Sequence, residues 1–128
     1  MIKFKHNRSL GELEAEIMEV IWKLKSASVR QVLDRLSQKR KIAYTTVMTV
    51  MSRLVGKGVL KRQFDENNAY IYSPTKDKEN FLADASKQAI NRLIREFGEV
   101  AVAQFIDAVE SSDSKKFREW QKKLQKIK

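Results

Sequence analysis

Cysteine is absent from the 128 residues, proline and histidine each occur once, and glycine occurs four times. Without cysteine there is no disulfide, no thiol nucleophile and no thiolate metal site, which suits a reducing cytoplasm. So little proline and glycine excludes collagen-like and low-complexity chains and disfavours long irregular loops. The lone histidine, His6, lies in a basic N-terminal arm, and no glycine-rich loop is present to cradle a phosphate. No enzyme, cofactor or metal is therefore expected. Glu12, Glu14 and Glu16 lack a second ligand group and read better as negative charge at a helix N-terminus. Long hydrophobic runs are missing as well, so no membrane insertion is expected, and "MIKFKHNRSL" lacks the apolar segment of a signal peptide.

What is present is a chain that is 42% hydrophobic and 33% charged, with a formal net charge of +10. That suits one domain, or two small modules that share a core with a partner. The basic balance calls for an anionic partner, nucleic acid first and a membrane surface second. Residues 1–74 carry 14 Lys and Arg against 7 Asp and Glu, whereas residues 75–128 carry 12 against 9. The anionic partner should therefore meet mainly the first half.

Periodicity predicts a helix from Gly11 to Lys25, with Leu10, Leu13, Ile17, Ile21 and Leu24 on one face. A second, short helix should start at Ser28, with Gln31 completing a capping box, and bury Val29, Val32, Leu33 and Leu36. A third should span Tyr44 to Lys57, burying Val47, Val50, Met51 and Leu54 and stopping at Gly56 or Gly58. The period then changes: "VLKRQF" and "AYIYS" read as two strands joined by "DENN". Beyond Pro74 the chain returns to helix, from Asp77 to Phe97, then "EVAVAQFIDAVE", then a final helix after a capped "SSDS" turn. Phe117, Trp120, Leu124 and Ile127 give that last helix a narrow, coiled-coil-like seam.

Three short helices and a hairpin make a winged helix-turn-helix, in a mainly α chain with one small β-hairpin. In that design the third helix enters the major groove and the wing lies along the backbone. Opposite its buried stripe the third helix carries Thr45, Thr49 and Ser52, with Met48 and Arg53 on the two flanks, and Thr45, Thr46, Met48, Thr49 and Ser52 are the candidate base-reading residues. Hydroxyls can donate or accept at base edges, and the Thr methyl and Met thioether can touch the thymine methyl. No acid occurs from Lys39 through Phe64 to repel phosphate. Arg8, Arg30, Tyr44, Arg53, Lys57 and Arg62 are the expected DNA-backbone contacts. Met48 is equally readable as a packing residue, and Arg53 as a brace for the wing.

The segments "LGELEAEIMEVIW", "AYTTVMTVMSRLVGKGVL" and "YIYSP" resemble the penicillinase-repressor family, of BlaI/MecI type with a copper-responsive CopY branch. The resemblance covers almost the whole chain and is most specific in the third helix. It implies a homodimeric bacterial repressor that binds an inverted-repeat operator in double-stranded DNA, rich in TACA/TGTA half-sites. It implies division into a winged helix, residues 1–74, and a three-helix dimerisation region, residues 75–128. About 50 residues make too thin a core to stand alone. Phe81, Leu93, Phe97, Phe105, Phe117, Trp120 and Leu124 are thus expected in a dimer interface, the alternative being helices folded back on the winged helix. In the penicillinase branch a membrane sensor peptidase triggers cleavage at an Asn-Phe bond. The matching position here is Gln104-Phe105, with Phe105 also readable as a plain interface aromatic. The copper branch needs cysteine pairs that this chain lacks. A winged helix for protein interaction and a non-specific nucleoid protein also fit the composition. Neither explains the hydroxyl-and-methyl face as well.

Overall fold

A computed structural model describes residues 10–111 and 114–127, apart from the side chains at 114, 117 and 124–127. Arg8 and the middle of the "SSDS" turn therefore lie outside the described residues, as do the side chains of Phe117 and Leu124. The element order is α1 (Glu12–Leu24), α2 (Val29–Leu36), α3 (Tyr44–Gly56), β1 (Leu60–Phe64), β2 (Tyr70–Pro74), α4 (Lys78–Phe97), α5 (Glu99–Glu110) and α6 (Ser114–Ile127). The chain divides into two compact units, the first ending at Ala83 and the second starting at Asp84.

In the first unit, Ile17, Met18 and Ile21 of α1, Val32 of α2 and Val47, Met51 and Leu54 of α3 are fully buried together with Leu60 and Tyr72 of the hairpin. Each helix contributes one apolar stripe, as its spacing dictates. The predicted capping box of α2 is present: the Gln31 N–H donates to Ser28 Oγ at 3.2 Å and the Ser28 N–H to Gln31 Oε1 at 2.8 Å. α3 stops in a Schellman turn, with the Gly58 N–H donating to the Val55 carbonyl and the Val59 N–H to the Leu54 carbonyl, both at 3.0 Å. Of the two glycines offered for that stop, Gly58 takes the left-handed position, at φ +78°.

β1 and β2 pair antiparallel, with Arg62 opposite Tyr72 and Phe64 opposite Tyr70. The connection is tightened by Asp65, whose Oδ1 accepts from the N–H groups of Asn67 and Ala69. The hairpin is fastened to the helices by a contact that periodicity does not reveal. Ala27, between α1 and α2, exchanges both backbone hydrogen bonds with Tyr72, each 2.9 Å long.

The start of α4 belongs to the first unit, so that unit extends past the Pro74 boundary read from the sequence. Trp22 explains this: its Nε1 donates to the Lys76 carbonyl at 3.0 Å, and its ring lies 5.3 Å from that of Phe81. Phe81, assigned above to a dimer interface, thus packs within the protomer against the first core.

The second unit has a different character. α4 and α5 contain no buried residue, and Leu93, Ile94, Phe97, Val100, Phe105, Ile106 and Trp120 are all exposed in the single chain. Gly98 breaks α4 from α5 as expected, at φ +63°.

Candidate nucleic-acid interface

The solvent face of α3 is the centre of the site. Val47, Val50, Met51 and Leu54 anchor the helix, which turns Tyr44, Thr45, Thr46, Met48, Thr49 and Arg53 outward. Met48 is 41% exposed, so packing does not account for it. All five candidate base-reading residues lie on or beside this face, and only Ser52 is half-buried.

Ser52 is half-buried because the wing reaches it. Arg62 Nη1 donates to Ser52 Oγ at 3.3 Å. The bracing of wing to helix that the sequence offered for Arg53 is made by Arg62 instead, while Arg53 stays exposed. On the same wing face the Phe64 and Tyr70 rings stack at 4.3 Å, and the Arg62 guanidinium sits 4.3 Å from the Tyr70 ring centroid. Sequence reasoning assigned no role to Phe64 or Tyr70. The signal was present in "LKRQF" and "YIY": alternation puts Arg62 and Phe64 on one face, Tyr70 and Tyr72 on one face, and the register brings the faces together.

At the other end of α3, the Arg30 guanidinium lies 5.2 Å from the ring centroid of Tyr44. These two expected backbone contacts, from α2 and α3, therefore form one cation–π pair. Lys57 is differently placed. Its Nζ donates to Glu14 Oε1 at 2.9 Å, so part of the positive charge expected for phosphate is answered within the protein. Glu14 is not an exposed dipole partner as its position in α1 implied: it is buried, and it also accepts the Gly11 N–H at 2.8 Å. Burial pushes its carboxyl up, but the bonds from Gly11 and Lys57 and the charges of Lys57 and Arg53 hold it below the ordinary glutamate range. Glu16 pairs with Arg40 at 2.8 Å.

The arrangement is an exposed helix face of hydroxyls, one thioether and guanidinium groups, beside a wing that carries Lys61 and Arg62 on β1 and Asp65 and Glu66 at its turn. It offers donors and methyl groups to a polyanion, but no assembled nucleophile and base. Among the described residues no group of three or more His, Cys, Asp or Glu could hold a metal, and no helix is long and apolar enough to cross a membrane.

Comparison with known proteins agrees with this surface. The penicillinase repressor family model matches residues 10–125. The chain is 33% identical over 114 residues to the transcriptional regulator BlaI of Mycobacterium tuberculosis, covering 85% of this chain and 80% of that protein. It is 30% identical over 83 residues to the penicillinase repressor of Bacillus licheniformis, covering 65% of this chain and 64% of the relative. In structure it is similar to the DNA-binding domain of the repressor BlaI, with a TM-score of 0.50 at 30% identity over 59% of this chain and 92% of that one. With a winged helix of this composition and a family match across nearly all of its length, the chain belongs to the penicillinase repressor family, a family of transcription regulators and not of enzymes.

Proposed function

We propose that this protein is a homodimeric repressor that binds an inverted-repeat operator through α3 and the wing. The observation that carries the reading is the solvent face of α3, where Thr45, Thr46, Met48 and Thr49 project from a buried anchor with no acid beside them. Thr45, Thr46, Met48, Thr49 and Ser52 face base edges, Arg30, Tyr44 and Arg53 meet the backbone, and Arg62 braces the wing against Ser52. The likeness to the BlaI DNA-binding domain supports this assignment. Lys57 contributes less, because Glu14 holds its ammonium.

Dimerisation is supported by the uncovered apolar residues of α4 and α5. Leu93, Phe97 and Phe105 have no core of their own in one chain, and Phe105 is 60% exposed. A two-fold partner would cover them and set two recognition helices on one face of the duplex, a whole number of helical turns apart. Release by a sensor-triggered cut at Gln104-Phe105 belongs to the same reading, since that bond lies within α5. The bond is inside a hydrogen-bonded helix, so a protease needs α5 to unwind first.

A gel-shift titration on the DNA upstream of this protein's own gene, against scrambled duplex at physiological salt, tests the reading. Operator binding at least ~10³-fold tighter than scrambled is expected. Equal binding would reduce α3 to an electrostatic surface and favour a non-specific nucleoid role.

A further inference from the structure

Arg62 stands on an exposed strand, where an arginine would ordinarily extend into solvent and meet a phosphate. Here it is engaged by two partners. It donates to Ser52 Oγ at 3.3 Å and covers the Tyr70 ring at 4.3 Å. Tyr72, directly across the ladder, and Tyr70 beside it raise its affinity for its proton. Tyr72 is itself fully buried and fixed to Ala27. The guanidinium is thus aimed from a rigid base at one hydroxyl of α3.

We propose that Arg62 acts on DNA through Ser52, as a positioning residue that fixes the wing against α3 and turns the Ser52 hydroxyl outward as a donor. A serine hydroxyl has one proton and two lone pairs. When a cation donates into the oxygen, the hydroxyl proton turns away from that cation. The proton is then presented to a base-edge acceptor on the duplex, N7, O6 or O4. The Tyr70 stack adds directional restraint, because a planar guanidinium lying on a ring keeps its fork in one plane. A lysine at the same place would keep the charge and lose that plane. Charge and geometry therefore make separable contributions at this residue.

The proposal rests on α3 being the DNA-reading helix, and the experiment tests the two apart. The full chain, Ser52→Ala, Arg62→Lys, Arg62→Ala and the double Ser52→Ala/Arg62→Ala are titrated with the upstream duplex and a scrambled duplex over a range of salt. Arg62→Lys should keep the salt slope of the parent while its operator preference falls about tenfold, the scale of one base-edge contact. Ser52→Ala should lose a similar factor, and the double variant should lose no more preference than either single alanine variant. Ser52→Thr, which keeps a hydroxyl, should retain the preference. Full preference in Arg62→Lys, or alanine losses that multiply in the double variant, would show Arg62 to be an independent phosphate contact and overturn the proposal. A parent chain without operator preference would remove the reading of α3 itself, and the proposal with it.

Discussion

Glu14, in the first turn of α1, holds Lys57, the residue that caps the end of α3, through a 2.9 Å ion pair. The carboxylate is buried and also accepts the Gly11 N–H, so one side chain closes the start of one helix onto the end of another. Its carboxyl titrates below the ordinary glutamate range in the folded protein. A group whose pKa is lower folded than unfolded adds stability that is complete above its unfolded value. That stability is lost as pH falls through the folded value. Glu14→Gln should therefore cost about 1 kcal/mol at neutral pH, a modest figure because Lys57 is partly solvated. The gap to the parent should close under acid. Urea midpoints measured against pH check this, and a gap that stays constant into acid would mean that the carboxylate charge is not its source.

The two glycines that end α3 should respond in opposite directions. Gly58 has φ +78° and open space around its Cβ position, so an added methyl meets no atom but strains the backbone. Gly58→Ala should destabilise the protein by about 1–2 kcal/mol. Gly56 is helical, with nothing within 4 Å of an added Cβ, so Gly56→Ala should stabilise by roughly 0.5 kcal/mol. Denaturant unfolding of the two variants gives the signs directly. A neutral Gly58→Ala would show that the turn does not require the left-handed residue.

On the proposed recognition face, Thr49→Ala and Met48→Ala should each reduce operator discrimination by the equivalent of about 1–3 kcal/mol while leaving scrambled-DNA binding almost unchanged. Competition titrations separate the two quantities. Equal losses on both duplexes would remove base reading from these side chains.

Trp120 is 44% exposed in the single chain, on the most strongly basic helix. As an interface residue, Trp120→Ala should weaken self-association by about 3–5 kcal/mol, and Phe105→Ala by a comparable amount. Sedimentation across a dilution series reads this. A Trp120→Ala protein that stays dimeric at low concentration would place that ring outside the interface core.

The sequence was most legible where one local rule decides the outcome. The Ser28–Gln31 capping box, the Val47–Val50–Met51–Leu54 stripe and the Gly58 stop each lie within a few residues of their partners. The solvent face of α3 followed by subtraction once the stripe was known. What escaped depends on side chains meeting from distant segments. The period of α1 sets Glu14 four residues after Leu10 and three before Ile17, on the inward side that Glu12 and Glu16 do not share, but its partner Lys57 is 43 residues away and no local rule names it. Phe81 has the apolar character of an interface residue, and only the position of Trp22 reveals that its ring is already engaged. Arg62 was legible as a wing cation, but its commitment to Ser52 required the register of the hairpin against α3.

Tyr72 belongs at once to the core, the hairpin and the bridge to Ala27. A wing held in this way is not a tethered ribbon that must find its place when the duplex arrives. Its backbone freedom has already been surrendered in folding, so little ordering entropy is left to subtract from the encounter. In the proposed complex this hairpin meets the duplex as a preformed surface, with the rate of association governed by long-range charge and orientation. A loosened Ala27–Tyr72 bridge would shift that cost back into the binding step, slowing productive docking without altering any residue that touches DNA.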